Sequence, residues 1–149
     1  GATTNVDANT LDDYEEGTFT PWVSDTSHSA ATVEGEAYST RLGFYTKIGD
    51  TVFFNARITL TSLGSLANTT SYVEGLPFTV GAGGGRYGVY FSEGGGLALT
   101  AGHSPAGIAQ PSTTYITMAQ WSVTTGSSSF LTSHWTADGA LTVTGSYKV

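Results

Sequence analysis

The chain has 149 residues, 11% of them charged, no cysteine and a formal net charge of −7. One domain of this size buries roughly 70% of its unfolded surface, and 39% apolar with 12% aromatic residues is enough for a core rather than a disordered chain. The missing cysteines exclude a disulfide framework, a thiolate zinc site and a cysteine nucleophile.

Residues 1–16, GATTNVDANTLDDYEE, are polar and acidic. Asp12, Asp13, Glu15 and Glu16 have no basic neighbour in sequence, so self-repulsion predicts an extended arm or linker, with at most a helical turn in DDYEE. A head domain over 17–149 follows. Thr18–Val23 is rich in β-formers with Pro21 inside, the pattern of an edge strand or bulge. Residues 38–48 and 51–60 flank Gly49-Asp50, a two-residue hairpin loop whose leading glycine suits a type II′ turn. In the second arm Phe54, Ala56, Ile58 and Leu60 alternate with Asn55, Arg57 and Thr59, the period of a half-buried strand. Further strands are predicted over 71–80, 86–92, 97–101, 114–124, 128–136 and 140–148. Turn signals separate them: Gly83-Gly84-Gly85, Gly94-Gly95-Gly96, Ser104-Pro105, Gln110-Pro111, Gly126 and Asp138-Gly139. Short strands so spaced, with 25 Thr, 16 Ser and 20 Gly, predict an all-β antiparallel sandwich or jelly roll. Val52-Phe53-Phe54 and Val89-Tyr90-Phe91 put large apolar groups on both faces of their strands. One face can be core; the other suits a subunit interface or a covering loop.

The charge is uneven. Residues 1–50 hold nine acids and two bases, and 51–149 hold three of each. Neither part offers the basic stripe a phosphate backbone requires, so nucleic acid is not an expected partner. No apolar run approaches a membrane-spanning length. The chain starts at Gly1, and the expectation is a piece of a longer protein.

Three stretches carry a resemblance: ANTLDDYEEGTFTP (8–21), GFYTKIGDTVFFNARITLT (43–61) and EGLPFTV (74–80). Together, over roughly 8–80, they resemble the C-terminal head of tailed-bacteriophage tail fibres and related receptor-binding tail proteins. LDDYEEGTFTP is the most specific part; nothing in 81–149 adds to it. The resemblance implies a fibre tip, homotrimeric, joined through its N-terminus to an upstream shaft. It also implies a virion location, after assembly in the host cytoplasm.

Sugar recognition needs ring faces for the C–H side of a pyranose and short polar side chains for its hydroxyls. Trp22, Trp121, Trp135, Tyr72, Tyr87, Tyr90 and Tyr115 supply rings among many Ser, Thr, Asn and Gln. Trp121 with Gln120, Tyr87 with Arg86, Tyr90 and Trp135 are the candidate ligand residues. Core filling is the competing role for each. Bond breaking is not expected. Glycoside hydrolysis needs paired carboxylates, and 51–149 holds only the scattered Glu74, Glu93 and Asp138. No G-x-S-x-G elbow occurs, His28, His103 and His134 lack metal-ligand spacing, and the glycine triplets lack the Gly-Lys-Ser/Thr of a phosphate loop. The expected role is therefore non-enzymatic adhesion to a host-surface polysaccharide or glycan, without cofactor or metal. A carbohydrate-binding module of a larger enzyme, and a structural decoration or connector domain of a virion, are the alternatives.

Overall fold

A computed structural model describes residues 13–149. Ten strands form one antiparallel sheet: β1 (Tyr14–Phe19), β2 (Trp22–Ser24), β3 (Ala37–Ile48), β4 (Thr51–Ser62), β5 (Tyr72–Glu74), β6 (Tyr87–Leu97), β7 (Ser104–Ala109), β8 (Tyr115–Ser122), β9 (Gly126–Ser129) and β10 (Trp135–Lys148). The only helical piece among the described residues is a 3-10 turn, Thr132–His134. The hydrogen-bonded order is β1-β3-β4-β10-β6-β7-β8-β5-β2, with β9 also on β8. β1 and β2 stand at opposite ends of that order, yet only Thr20 and Pro21 separate them in sequence. The sheet must therefore curl until its two ends nearly meet.

The expected hairpin over Gly49-Asp50 is present. β3 and β4 pair from Ile48–Thr51 up to Ala37–Ser62, with two register shifts near the far end. Gly49 has φ 58, as the first loop residue of a type II′ turn requires. Val52, Phe54, Ala56, Ile58 and Leu60 all point inward and are buried. Facing them are Val23, Val73, Ile116, Met118, Leu141 and Val143 from the other strands. Two plugs close the curl. At one end the buried Tyr147 hydroxyl accepts the Phe78 N–H (3.2 Å) and donates to the Phe78 carbonyl (3.1 Å), which holds Leu76 and Val80 in the core. At the other, Trp135 Nε1 donates to Ser71 Oγ (2.9 Å) beside Phe130.

Several boundaries differ from the sequence reading. β1 begins at Tyr14, so 14–16 are strand rather than arm, paired with Ile48, Lys47 and Thr46. Neither a helical turn nor an unpartnered acid run is seen there: Lys47 pairs with Asp13, and Tyr45 Oη donates to Glu15 (2.6 Å). Those partners come from β3, distant in sequence and adjacent through pairing. Residues 1–12 of the predicted arm lie outside the described residues. Gly94-Gly95-Gly96 is not a loop but the end of β6, with Gly94 and Gly95 opposite Leu141 and Ala140. Asp138-Gly139 likewise sits within β10, in a bulge that slips the register between Trp135 and Ala140. Gly96, at φ 60, lies against this bulge; a Cβ there would come 2.7 Å from the Asp138 carbonyl oxygen. Ser104-Pro105 opens β7 instead of turning, and 98–103 is the connection.

The curl's seam rests on another phenol. Tyr38 Oη accepts the Val23 N–H (3.0 Å), tying β3 to β2 where no strand pairing joins them. Burial pushes the Tyr38 and Tyr147 phenols up to about 12. Unfolded tyrosines ionise near 10, so between pH 10 and 12 the native state holds protons that the unfolded state has lost. Stability should be complete below pH 10 and fall across that window. Urea denaturation at stepped pH checks this. Tyr147→Phe should flatten the fall and cost about 1–2 kcal/mol at neutral pH, because both Phe78 groups lose their partner.

Candidate functional site

β8 places the site by strand parity. Ile116, Met118, Gln120 and Ser122 point inward and are buried, so Tyr115, Thr117, Ala119 and Trp121 face outward. β5 sets Tyr72 opposite Thr117, while β9 sets Ser129 opposite Ala119 and Ser127 opposite Trp121. β5 and β9 share one edge of β8 and leave a trough between them. Its volume is about 390 Å³, and Thr70, Tyr72, Thr117, Ala119, Ser127 and Ser129 line it, with Met118 and Ser128. The Tyr72 ring lines one end; Trp121, 47% exposed, lies outside the lining but opposite Ser127, which belongs to it. Four residues of β8 separate Trp121 from the partner of Tyr72, about 13 Å at the rise of a strand. The arrangement provides two ring faces with a hydroxyl-lined floor between them. Those hydroxyls can each donate and accept.

The Tyr72 end is built by the loop between β2 and β3. His28 stacks on Tyr115 (centroids 4.6 Å, 24°) and tilts against Tyr72 (4.4 Å). Its Nδ1 lies 2.7 Å from Glu74 Oε1, which also accepts from Ser24 Oγ (2.8 Å). Trp22 Nε1 donates to the Ser29 carbonyl (3.0 Å). The buried Asp25 anchors the loop by accepting the Ser27 and Ala67 N–H groups, each at 2.7 Å. Burial opposes ionisation of this carboxyl, yet those bonds outweigh it and hold its pKa below the ordinary value.

The other end is braced from inside. Gln120 Nε2 donates to Thr100 Oγ1 (3.0 Å) and its Oε1 accepts the Thr100 N–H (3.2 Å), pinning the connection before β7. Gln120 is therefore a buried brace, which corrects its expected place at a ligand surface. Trp135 is corrected likewise: it is 2% exposed, and its ring fills the plug beside Phe130. Tyr87 is half-buried and inward-facing, with Arg86 exposed beside it where β6 begins. Tyr90 is 67% exposed, on the outer face of β6 and next to Thr144 of β10. None of the six candidates lines the trough; Trp121 comes nearest, paired across the ladder with the lining residue Ser127. The trough instead brings in Tyr72 and, through His28, Tyr115, which alternation along β8 and its neighbours could have singled out.

Among the described residues no carboxylate lines the trough. Glu74 is engaged by Ser24 and His28, Glu93 by Arg57, and Asp138 by Thr136. Among the described residues no group of three His, Asp or Glu could hold a metal ion.

The fold has a solved counterpart. The crystal structure of the Dettilon tailspike protein (gp208) superposes with a TM-score of 0.74 at 16% identity, over 91% of this chain. The likeness concerns the fold. This chain spans 24% of that protein's length. No protein-family model and no curated protein matches the sequence.

The anchor of the β2–β3 loop gives a pH-dependent prediction. With a pKa depressed in the folded state, Asp25 contributes stability above the unfolded carboxylate range and loses it as pH falls through its folded value. Asp25→Asn should cost about 1–3 kcal/mol at pH 7. Thermal unfolding at stepped pH should show that difference shrinking towards zero in acid.

Proposed function

We propose that this domain is the receptor-binding tip of a phage tail fibre or tailspike, adhering to a host-surface glycan through the trough along β8. One observation carries the reading: the Tyr72 ring lines a floor rich in Thr and Ser hydroxyls, and the outward Trp121 ring stands beside it, opposite Ser127. That is the complement of a short oligosaccharide, whose C–H faces stack and whose hydroxyls pair. The fold shared with a tailspike protein supports it, as do the motifs of residues 8–80. The fold is all-β, one curled antiparallel sheet, and a rigid framework of that kind carries recognition on its outer face and loops. The role we propose is adhesion without catalysis; the engagement of Glu74, Glu93 and Asp138 with partners of their own supports it.

Three copies assemble in this reading, joined to an upstream shaft, in a virion built in the host cytoplasm. The outer face of β3-β4-β10-β6 supports assembly. Leu42, Phe44, Phe53 and Tyr90 are 45%, 54%, 49% and 67% exposed there, around a shallow depression of about 340 Å³. These are the second-face residues of Phe53 and Tyr90 type for which the sequence predicted a partner. Three linked weak sites can bind 10²–10⁴-fold more tightly than one, in round numbers.

A pull-down of host-surface polysaccharide tests adhesion. Trp121→Ala and Tyr72→Ala should each weaken capture at least about tenfold, equal to about 1.4 kcal/mol, while Tyr87→Ala leaves it unchanged. Equal capture by all three variants would remove the trough from the reading. Sedimentation tests assembly: the unaltered chain should run as a trimer and Phe44→Asp with Phe53→Asp as a folded monomer. A monomeric unaltered chain at micromolar concentration would end the trimer proposal.

A further inference from the structure

Resting on the trough as the glycan site, we infer that it selects uncharged glycan segments and rejects those bearing carboxylates. The inference comes from where the cations are. The whole chain has five, at Arg41, Lys47, Arg57, Arg86 and Lys148. Lys47 pairs with Asp13, Arg57 with Glu93 and Lys148 with Asp50. Arg41 lies 4.7 Å over the Tyr38 ring, at the β3 side of the seam. Arg86, beside the start of β6, is two strands from β8 by hydrogen-bonded order, about 10 Å of lateral spacing. That exceeds the screening length of about 8 Å at physiological salt. None of the five lines the trough.

A carboxylate brought against this floor would exchange water for serine and threonine hydroxyls with no Lys or Arg beside it, and the imidazole at the Tyr72 end, His28, already lies 2.7 Å from the Glu74 carboxylate. Charged acceptors bind well where Arg or Lys supplies charge-assisted bonds, and poorly where desolvation is not repaid. A sugar hydroxyl meets no such penalty, since each trough hydroxyl can act as donor or acceptor to it. Neutral segments also leave the rings of Tyr72 and Trp121 to do their stacking without an opposing field.

The experiment compares a panel of neutral oligosaccharides, uronate-bearing oligosaccharides and the same uronates reduced to alcohols, titrated into the full chain. The reduced forms should bind at least about tenfold more tightly than their uronate parents. Neutral binding should move less than about twofold between low and high salt, because no ion pair is made. Thr117→Lys should narrow or reverse the preference for the reduced form. Tighter uronate binding that Trp121→Ala abolishes would overturn the neutral preference and leave the trough in place. Binding that neither Trp121→Ala nor Thr117→Lys alters would overturn the trough itself, and so would a panel in which nothing binds.

Discussion

One constraint organises this molecule: the segment from Tyr14 to Ser24 must pair with both ends of a single sheet. Its first part lies against β3 and its second against β5, with Thr20-Pro21 between them. Proline cannot donate to a ladder and fixes φ near −65°. A continuous strand is therefore impossible at that point, and the chain can leave one partner and take up another. Because the two partners close the ends of the strand order, the bend at Pro21 links the sheet's edges covalently. Tyr38 adds the polar bond across the seam. Straightening this corner would free two edges at once, β1 and β2, and open the core along its length.

The curl explains the division of labour between faces. Apolar side chains of period two are consumed by the concave side, and the two ends are stoppered by Tyr147 on Phe78 and Trp135 on Ser71. Among the described residues the concave side is filled by these apolar side chains. The proposed recognition therefore uses the convex side, where alternation leaves every second residue. On β8 those residues are Tyr115, Thr117, Ala119 and Trp121, and the short strands β5 and β9 add walls because neither runs the full length of their shared edge. The trough is thus a consequence of two incomplete strands on one edge.

The fold was legible where local rules act alone. The β3–β4 hairpin needed only a glycine that tolerates positive φ and a strict alternation, and both are in the sequence. Misreadings cluster where a long-range partner overrides a local signal. Gly94–Gly96 resembles a loop, yet Gly94 and Gly95 continue the ladder and Gly96 leaves room for the bulge of β10 at Asp138-Gly139. The two turn signals were one structural device seen from both strands. Ser104-Pro105 reads as a turn for the same local reason, while β7 tolerates proline because β6 pairs with it only at Gly107–Ala109. The acid run at 13–16 looked repulsive because its partners, Lys47 and Tyr45, come from a strand some thirty residues on. For the site, sequence supplied the residue types but not their direction. Trp121 and Gln120 are adjacent, and parity sends one out and the other in; Trp135 was lost to the core because its indole N–H could find Ser71.

Separation of the two convex surfaces is what makes assembly and adhesion compatible in the proposed tip. Leu42, Phe44 and Phe53 lie on β3 and β4 and Tyr90 on β6, whereas the trough lies on the edge of β8 shared by β5 and β9. β7 stands between Tyr90 and β8, and the two surfaces have no lining residue in common. Subunits meeting through the first would leave the second facing out. The same geometry assigns the charges their places: Arg57 and Glu93 pair at the margin of the apolar face, where an ion pair sets register between strands. The trough side is left to hydroxyls and rings. A surface that grips by stacking and neutral hydrogen bonds is weak per contact and insensitive to salt, so in the proposed trimer its strength comes from repetition, which the apolar face would supply.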